Sequence, residues 1–112
     1  MPAKIPTTVF GQRLREARIH AAIAQDKLGV QIGLDEGTAS ARMSRYESGV
    51  HEPPFGIALK IASALHLPAA FFYCEDDELA NILLLWGRAS RKEKDRIKAI
   101  LEFEIASRAN GG

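Results

Sequence analysis

Arg42 and Arg45 lie three residues apart in the run Arg42-Met43-Ser44-Arg45-Tyr46-Glu47-Ser48-Gly49. On a helix, residues at that spacing are surface neighbours, so the run has one polar, basic side. It ends at a glycine and follows a second short helical stretch that opens Gln25-Asp26-Lys27-Leu28 and ends at Gly33. Two short helices joined by a turn, the second rich in arginine and small polar residues, can enter the major groove of DNA. Other chemistries find less support. His20, His51 and His66 are scattered, with no metal-ligand spacing. Cys74 beside Glu75-Asp76-Asp77 reads as a small buried residue followed by helix-capping acids. No nucleophile, base and orienting group can be assembled, so the chain reads as a non-enzyme with no metal or cofactor.

The elements that position these residues are all helical. Residues 1–8 hold two prolines and read as an extended arm. A first helix opens at Thr8 or Val9 and runs to about Ala22, with Phe10, Leu14, Ala17 and Ala21 on one face and Arg13, Arg15 and Glu16 largely on the other. The second spans about Gln25 to Ile32, with Gly33 as its stop. Leu34 to Thr38 is turn-like, and Thr38 or Asp35 can cap the third helix. That third helix runs from about Ala39 to Glu47, with Ala39, Met43 and Tyr46 inward and Gly49 as its stop. Val50 to Pro54 is extended because a residue before proline avoids the α region. A fourth helix covers Phe55 to Leu65 with Ile57, Ile61, Ala62 and Leu65 inward, and a short fifth starts at Pro68 and ends at Tyr73. Acids from Glu75 to Glu78 open a sixth helix with a Leu79, Ile82, Leu83 and Trp86 stripe, which Gly87 breaks. Ser90-Arg91-Lys92-Glu93 is a capping box and starts a seventh helix that reaches Arg108. Asn110 to Gly112 reads as a frayed end.

At 112 residues, one compact domain with a small appendage is expected. A hydrophobic fraction of 46% is enough to build a core. The net charge of +1 does not announce a polyanion partner. Residues 1–73 carry 8 Lys and Arg against 6 Asp and Glu, and residues 74–112 carry 7 against 8, so a nucleic-acid case rests on where the arginines sit. One cysteine fits a reducing compartment. The start of the chain lacks the apolar run of a signal peptide, and the run Ile82 to Trp86 is far too short to span a membrane. These features point to a cytoplasmic protein.

The order of residues resembles the helix-turn-helix family of phage Cro and repressor type, common among bacterial transcription regulators. The resemblance rests on Gly11 to Arg18, Gln25-x-x-Leu28, Ile32-Gly33, Met43 to Gly49, Glu52-Pro53-Pro54 and Leu59-x-Ile61-Ala62-x-Ala64-Leu65, and covers about residues 8–73. It implies a five-helix repressor-like domain over residues 1–73, followed by a two-helix C-terminal extension over residues 74–112. It implies that Gln25 touches phosphate and braces the third helix. Ser40, Ala41, Arg42 and Arg45 would then point at base edges, and Thr38, at the start of that helix, joins them. An arginine can hold guanine O6 and N7 with two hydrogen bonds, a pairing that discriminates by roughly 1–3 kcal/mol. Arg18 and Glu47 match a pair that bridges the first and third helices as a structural ion pair. One departure stands out: between Gly33 and Met43 the chain has four residues more than the family spacing. The insertion lies within Asp35 to Thr38 and either lengthens the turn or adds a turn to the third helix, with Gly37 favouring the first.

The last two helices present more apolar surface than a small helical domain needs. Either they pack back onto the fourth and fifth helices, or they form a homodimer interface from Leu83, Trp86, Ile100, Leu101 and Phe103. DNA readers of this type place two subunits on two half-sites. The leading expectation is a homodimeric, sequence-specific DNA-binding repressor with double-stranded DNA as its partner. The competing one is an antitoxin-like or adaptor module whose main partner is another protein.

Overall fold

A computed structural model describes residues 5–110 and contains helices and no strand among those residues. Residues 1–4 of the expected arm, and Gly111 and Gly112 of the expected frayed end, lie outside the described residues. The helices are α1 (Val9–His20), α2 (Gln25–Gln31), α3 (Ala39–Ser48), α4 (Phe55–Ala64), a 3-10 helix (Ala69–Tyr73), α5 (Asp77–Arg88) and α6 (Arg91–Asn110). The fifth expected helix is therefore a single 3-10 segment, with Pro68 as its cap residue. At five residues it is the short connector for which this tighter winding is common, and it buries Phe71 and Phe72.

Local chemistry sets the helix starts. The Thr8 hydroxyl accepts a hydrogen bond from the Gly11 amide at 3.0 Å and so caps α1. Asp76 caps α5, its carboxylate accepting from the Glu78 and Leu79 amides. At α6 both arms of the capping box form: the Glu93 amide donates to Ser90 Oγ at 3.1 Å, and the Ser90 amide donates to Glu93 Oε1 at 2.8 Å. α3 ends where Gly49 turns left-handed at φ +87°.

The core is built where α1 to α4 meet the 3-10 helix. Leu14, Leu28, Met43, Ile61, Phe71 and Phe72 are its largest fully buried side chains. Burying a side chain of this size contributes about 1.5–3 kcal/mol. Phe10 stacks at a tilt on Phe72, with ring centroids 5.3 Å apart, which fastens α1 to the 3-10 helix. α2 and α3 approach closely because Gly29 has no side chain. A Cβ there would lie 2.8 Å from Ala39 Cβ and 3.1 Å from Met43 Cγ.

Three expectations are corrected by the packing. Arg13 does not face outward: it is buried, with 4% of its surface exposed. Its Nε donates to the Cys74 carbonyl at 2.8 Å, and its terminal nitrogens meet Glu16, the Glu75 carbonyl and Asp77. Burial works against its charge, yet the bonds to Asp77 and Glu16 outweigh that and hold its pKa above the ordinary value. Gly87 does not break the sixth helix, since α5 continues to Arg88. Its missing side chain instead admits the His66 carbonyl and Leu67 against the helix. Finally, α5 turns Ala80 into the core and leaves Leu79 and Ile82 exposed, with Leu83 and Leu84 packed against the core's edge. A small residue at the contact lets the helix sit close, which the apolar stripe alone does not reveal.

Candidate nucleic-acid interface

α3 has two sides with opposite character. Inward lie Ala39, Met43 and Tyr46, all buried, followed by Glu47 at its last turn. Outward lie Ser40, Ala41, Ser44 and Arg45, all exposed. The spacing of these four, at i, i+1, i+4 and i+5, follows from 3.6 residues per turn. Glu47 is the helix's one acid, and it is buried, so the exposed side carries a cation and small groups but no carboxylate.

A polar lock holds this orientation. Arg18 of α1 grips Glu47 with two nitrogens, Nε to Oε2 at 2.7 Å and Nη2 to Oε1 at 3.2 Å. Its Nη1 donates to the Ile23 carbonyl at 3.0 Å, which fixes the α1–α2 turn as well. Gln25, the first residue of α2, donates from Nε2 to Glu47 Oε2 at 3.1 Å. One carboxylate thus ties α1, α2 and α3 together, and bidentate geometry adds angular restraint to its charge. From the N-terminal side, the Thr7 hydroxyl and amide both donate to the Ser48 carbonyl, at 2.8 and 3.2 Å, and pin the chain's entry to the end of α3.

The residues picked from the sequence are placed as follows. Ser40, Ala41 and Arg45 lie on the exposed side of α3. Arg42 is half-buried, and its Nη2 donates to the Tyr46 hydroxyl at 3.0 Å. With Arg45, Tyr46, His51, Glu52 and Pro54 it lines a groove beside the end of the helix. Thr38 stands at the cap position of α3 but makes no side-chain cap bond. Its hydroxyl lies 3.4 Å from the Asp35 carbonyl. Gln25 is spent on Glu47 rather than pointing free. The turn between α2 and α3 is long: α3 begins at Ala39, and Leu34 plugs the turn into the core, its amide donating to the Gly29 carbonyl at 2.9 Å. The residues in excess of the family spacing therefore lengthen the turn and leave the helix start at Ala39.

Sequence reasoning passed over Ser44, Arg15 and Gly29. Ser44 shares the outward side with Arg45, and its i+4 spacing from Ser40 was the available signal. Arg15 and Arg18 line a crevice with Gln25, Ser44 and Glu47 where α1, α2 and α3 meet, so the polar lock borders the open side of α3. Of the expected interface residues in the C-terminal part, Leu83 and Trp86 are half-buried, whereas Ile100, Leu101 and Phe103 are exposed on α6. Lys94 Nζ stands 5.5 Å from the Trp86 ring, a cation–π contact that ties the start of α6 to α5. No described helix is long and apolar enough to cross a membrane.

α2, a turn and α3 thus follow one another as two short helices joined by a turn, and the exposed side of α3 carries Arg45 and no acid. The solved structure of the transcriptional regulator BswR is similar over 87% of this chain and 96% of that chain, with 37% identity and a TM-score of 0.80. The chain belongs to the same family as that transcriptional regulator. No protein-family model matches the sequence, and no curated protein does.

Proposed function

We propose that this chain is a sequence-specific DNA-binding transcription regulator, a repressor that reads the major groove with α3 as a homodimer. The observation that carries this reading is the acid-free outward side of α3, locked in place by the Arg18–Glu47–Gln25 cluster. Preorganised side chains need less ordering on binding, so a rigid helix suits base readout. Arg45 is the first candidate for a guanine contact, and Ser40 and Ser44 can donate or accept at base edges. Ala41 offers a small apolar surface to a thymine methyl. Arg42 joins them by leaving Tyr46 when the groove fills. Arg15, the Thr38 hydroxyl and backbone amides set the register on phosphates. The Cro and repressor resemblance supports the same assignment, and so does the similarity to BswR.

The test is selection of bound duplexes from a random pool by the full-length chain. A defined, two-fold symmetric motif is expected, with binding that weakens steeply as salt rises because neutralised phosphates release counterions. Recovery of an unenriched pool would overturn the reading. The exposed apolar side chains of α6 favour a second possibility, an antitoxin-like or adaptor module whose main partner is another protein. It gains if the pool stays unenriched while the chain captures one defined protein.

A further inference from the structure

The two arginines of α3 stand in different situations. Arg45 is exposed. Arg42 is half-buried, and its Nη2 already donates to the Tyr46 hydroxyl at 3.0 Å, one turn further along the helix. Residues at i and i+4 are neighbours on a helix surface, so the bond needs no distortion of the backbone. Tyr46 cannot follow Arg42 outward. It is 5% exposed and belongs to the core. The hydroxyl is therefore a fixed acceptor, and the Arg42 guanidinium is the part that can move. Both line a groove of about 400 Å³ with Arg45, His51, Glu52 and Pro54, which gives the guanidinium room to swing away.

Any base contact by Arg42 begins with the loss of that bond. The bases differ in what they return for it. In the major groove guanine presents two acceptors, N7 and O6; adenine presents N7 and thymine O4; cytosine presents only the N4 donor. An arginine fork meets guanine with two hydrogen bonds. Against adenine or thymine the exchange is one acceptor for one and gains nothing. Against cytosine it is a loss. Guanine alone returns more than the Tyr46 hydroxyl already supplies.

We propose that the Tyr46 hydroxyl sets a threshold for Arg42, holding the guanidinium back unless the base it meets offers two acceptors. Tyr46 is then a positioning residue that shapes specificity without touching DNA. This rests on the base-reading role proposed for α3 and adds how one of its side chains chooses. The threshold has a signature. Adenine, thymine and cytosine are treated alike at that position, because for all three Arg42 stays on Tyr46. Without the hydroxyl, single acceptors count as well, and the three separate.

The test is fluorescence anisotropy on a selected duplex and on three others that differ only in the base Arg42 meets. That position is the one where base substitution costs the wild type affinity and costs Arg42→Ala none. The wild type, Tyr46→Phe, Arg42→Ala and the double variant are compared. The wild type should prefer guanine and bind the other three duplexes alike. Tyr46→Phe should tighten binding to the guanine, adenine and thymine duplexes by about threefold to tenfold, the range for one net hydrogen bond. The cytosine duplex should not change. In the Arg42→Ala background the same substitution should alter none of the four. An equal change on all four duplexes, no change on any, or a change that persists without Arg42 would overturn the threshold. Should Tyr46→Phe soften the fold, nuclear magnetic resonance of the wild type supplies a second readout. The Arg42 guanidinium signals should move on the guanine duplex and keep their free positions on the other three. Signals that move identically on all four would overturn the threshold too. A motif indifferent to Arg42→Ala at every position would overturn it while leaving the regulator reading intact. A random pool that yields no motif would sink both.

Discussion

α3 and α6 both expose cations, and they are held by opposite means. α3 has ten residues, five of them buried, and a carboxylate gripped by two neighbouring helices. α6 has twice the length and none of its residues 91–109 buried. The first is positioned by tertiary contacts and cannot move without the domain. The second is held by its capping box, its i, i+4 pairs and the Lys94 contact with Trp86 of α5. A surface that reads another molecule in fixed register needs the first kind of support.

The contrast can be broken most forcefully at the polar lock. Arg18→Ala leaves the Glu47 carboxylate buried without its cation, and removal of one partner from such a pair costs about 3–5 kcal/mol. Urea denaturation should show that loss, together with loss of DNA binding. A variant that melts like the wild type and fails only on DNA would turn Arg18 into a contact residue. Next in size is Gly29→Val, whose side chain must displace Ala39 or Met43. Overpacking of this kind costs about 1–3 kcal/mol. The comparable change on α6, Ala99→Val, should cost under about 1 kcal/mol, since the exposed Ala99 meets no core and the variant loses only helix propensity. If the two costs are equal, the two helices are not differently supported.

Smaller effects sharpen the same comparison. Ser90→Ala removes one arm of the α6 capping box and should cost about 1 kcal/mol, confined to α6. Amide hydrogen exchange at concentrations where the chain is monomeric is the readout, with α6 amides exchanging faster and α3 amides unchanged. The smallest expected effect is on pH. The Ser90 backbone and hydroxyl hydrogen bonds hold the Glu93 pKa below its ordinary value. A lowered carboxylate pKa means that its stabilisation is complete above the unfolded value and fades as pH falls through the folded one. Acid titration followed by circular dichroism should therefore show α6 losing helix below the ordinary carboxylate range.

Much of this was legible because it is local. Thr8, Ser90 with Glu93, and Gly49 mark helix ends by chemistry confined to four residues, and Ala39, Met43 and Tyr46 follow helical spacing. What was not legible depends on partners distant in sequence. Arg13 reads as a surface cation until the Cys74 and Glu75 carbonyls and Asp77 arrive from more than sixty residues away. Gly87 reads as a breaker until the His66 carbonyl occupies its missing side chain's space. The site shows the same division. The outward position of Arg45 follows from helical spacing, but the bond that draws Arg42 back to Tyr46 depends on the rotamers of two side chains. The long turn before Ala39 was a choice between two outcomes, and Leu34 reaching into the core decided it.

The central claim is that α3 reads base sequence with its outward side. Fluorescence anisotropy with a selected duplex and a scrambled duplex of equal length, for the wild type and Arg45→Ala, tests it most directly. Arg45 is exposed and makes no contact in the core, so the variant should melt with the wild type. The account predicts that the wild type prefers the selected duplex and that Arg45→Ala loses about tenfold or more of that preference. Binding to the scrambled duplex should fall much less. An undiminished preference in Arg45→Ala, or equal loss on both duplexes, would contradict it.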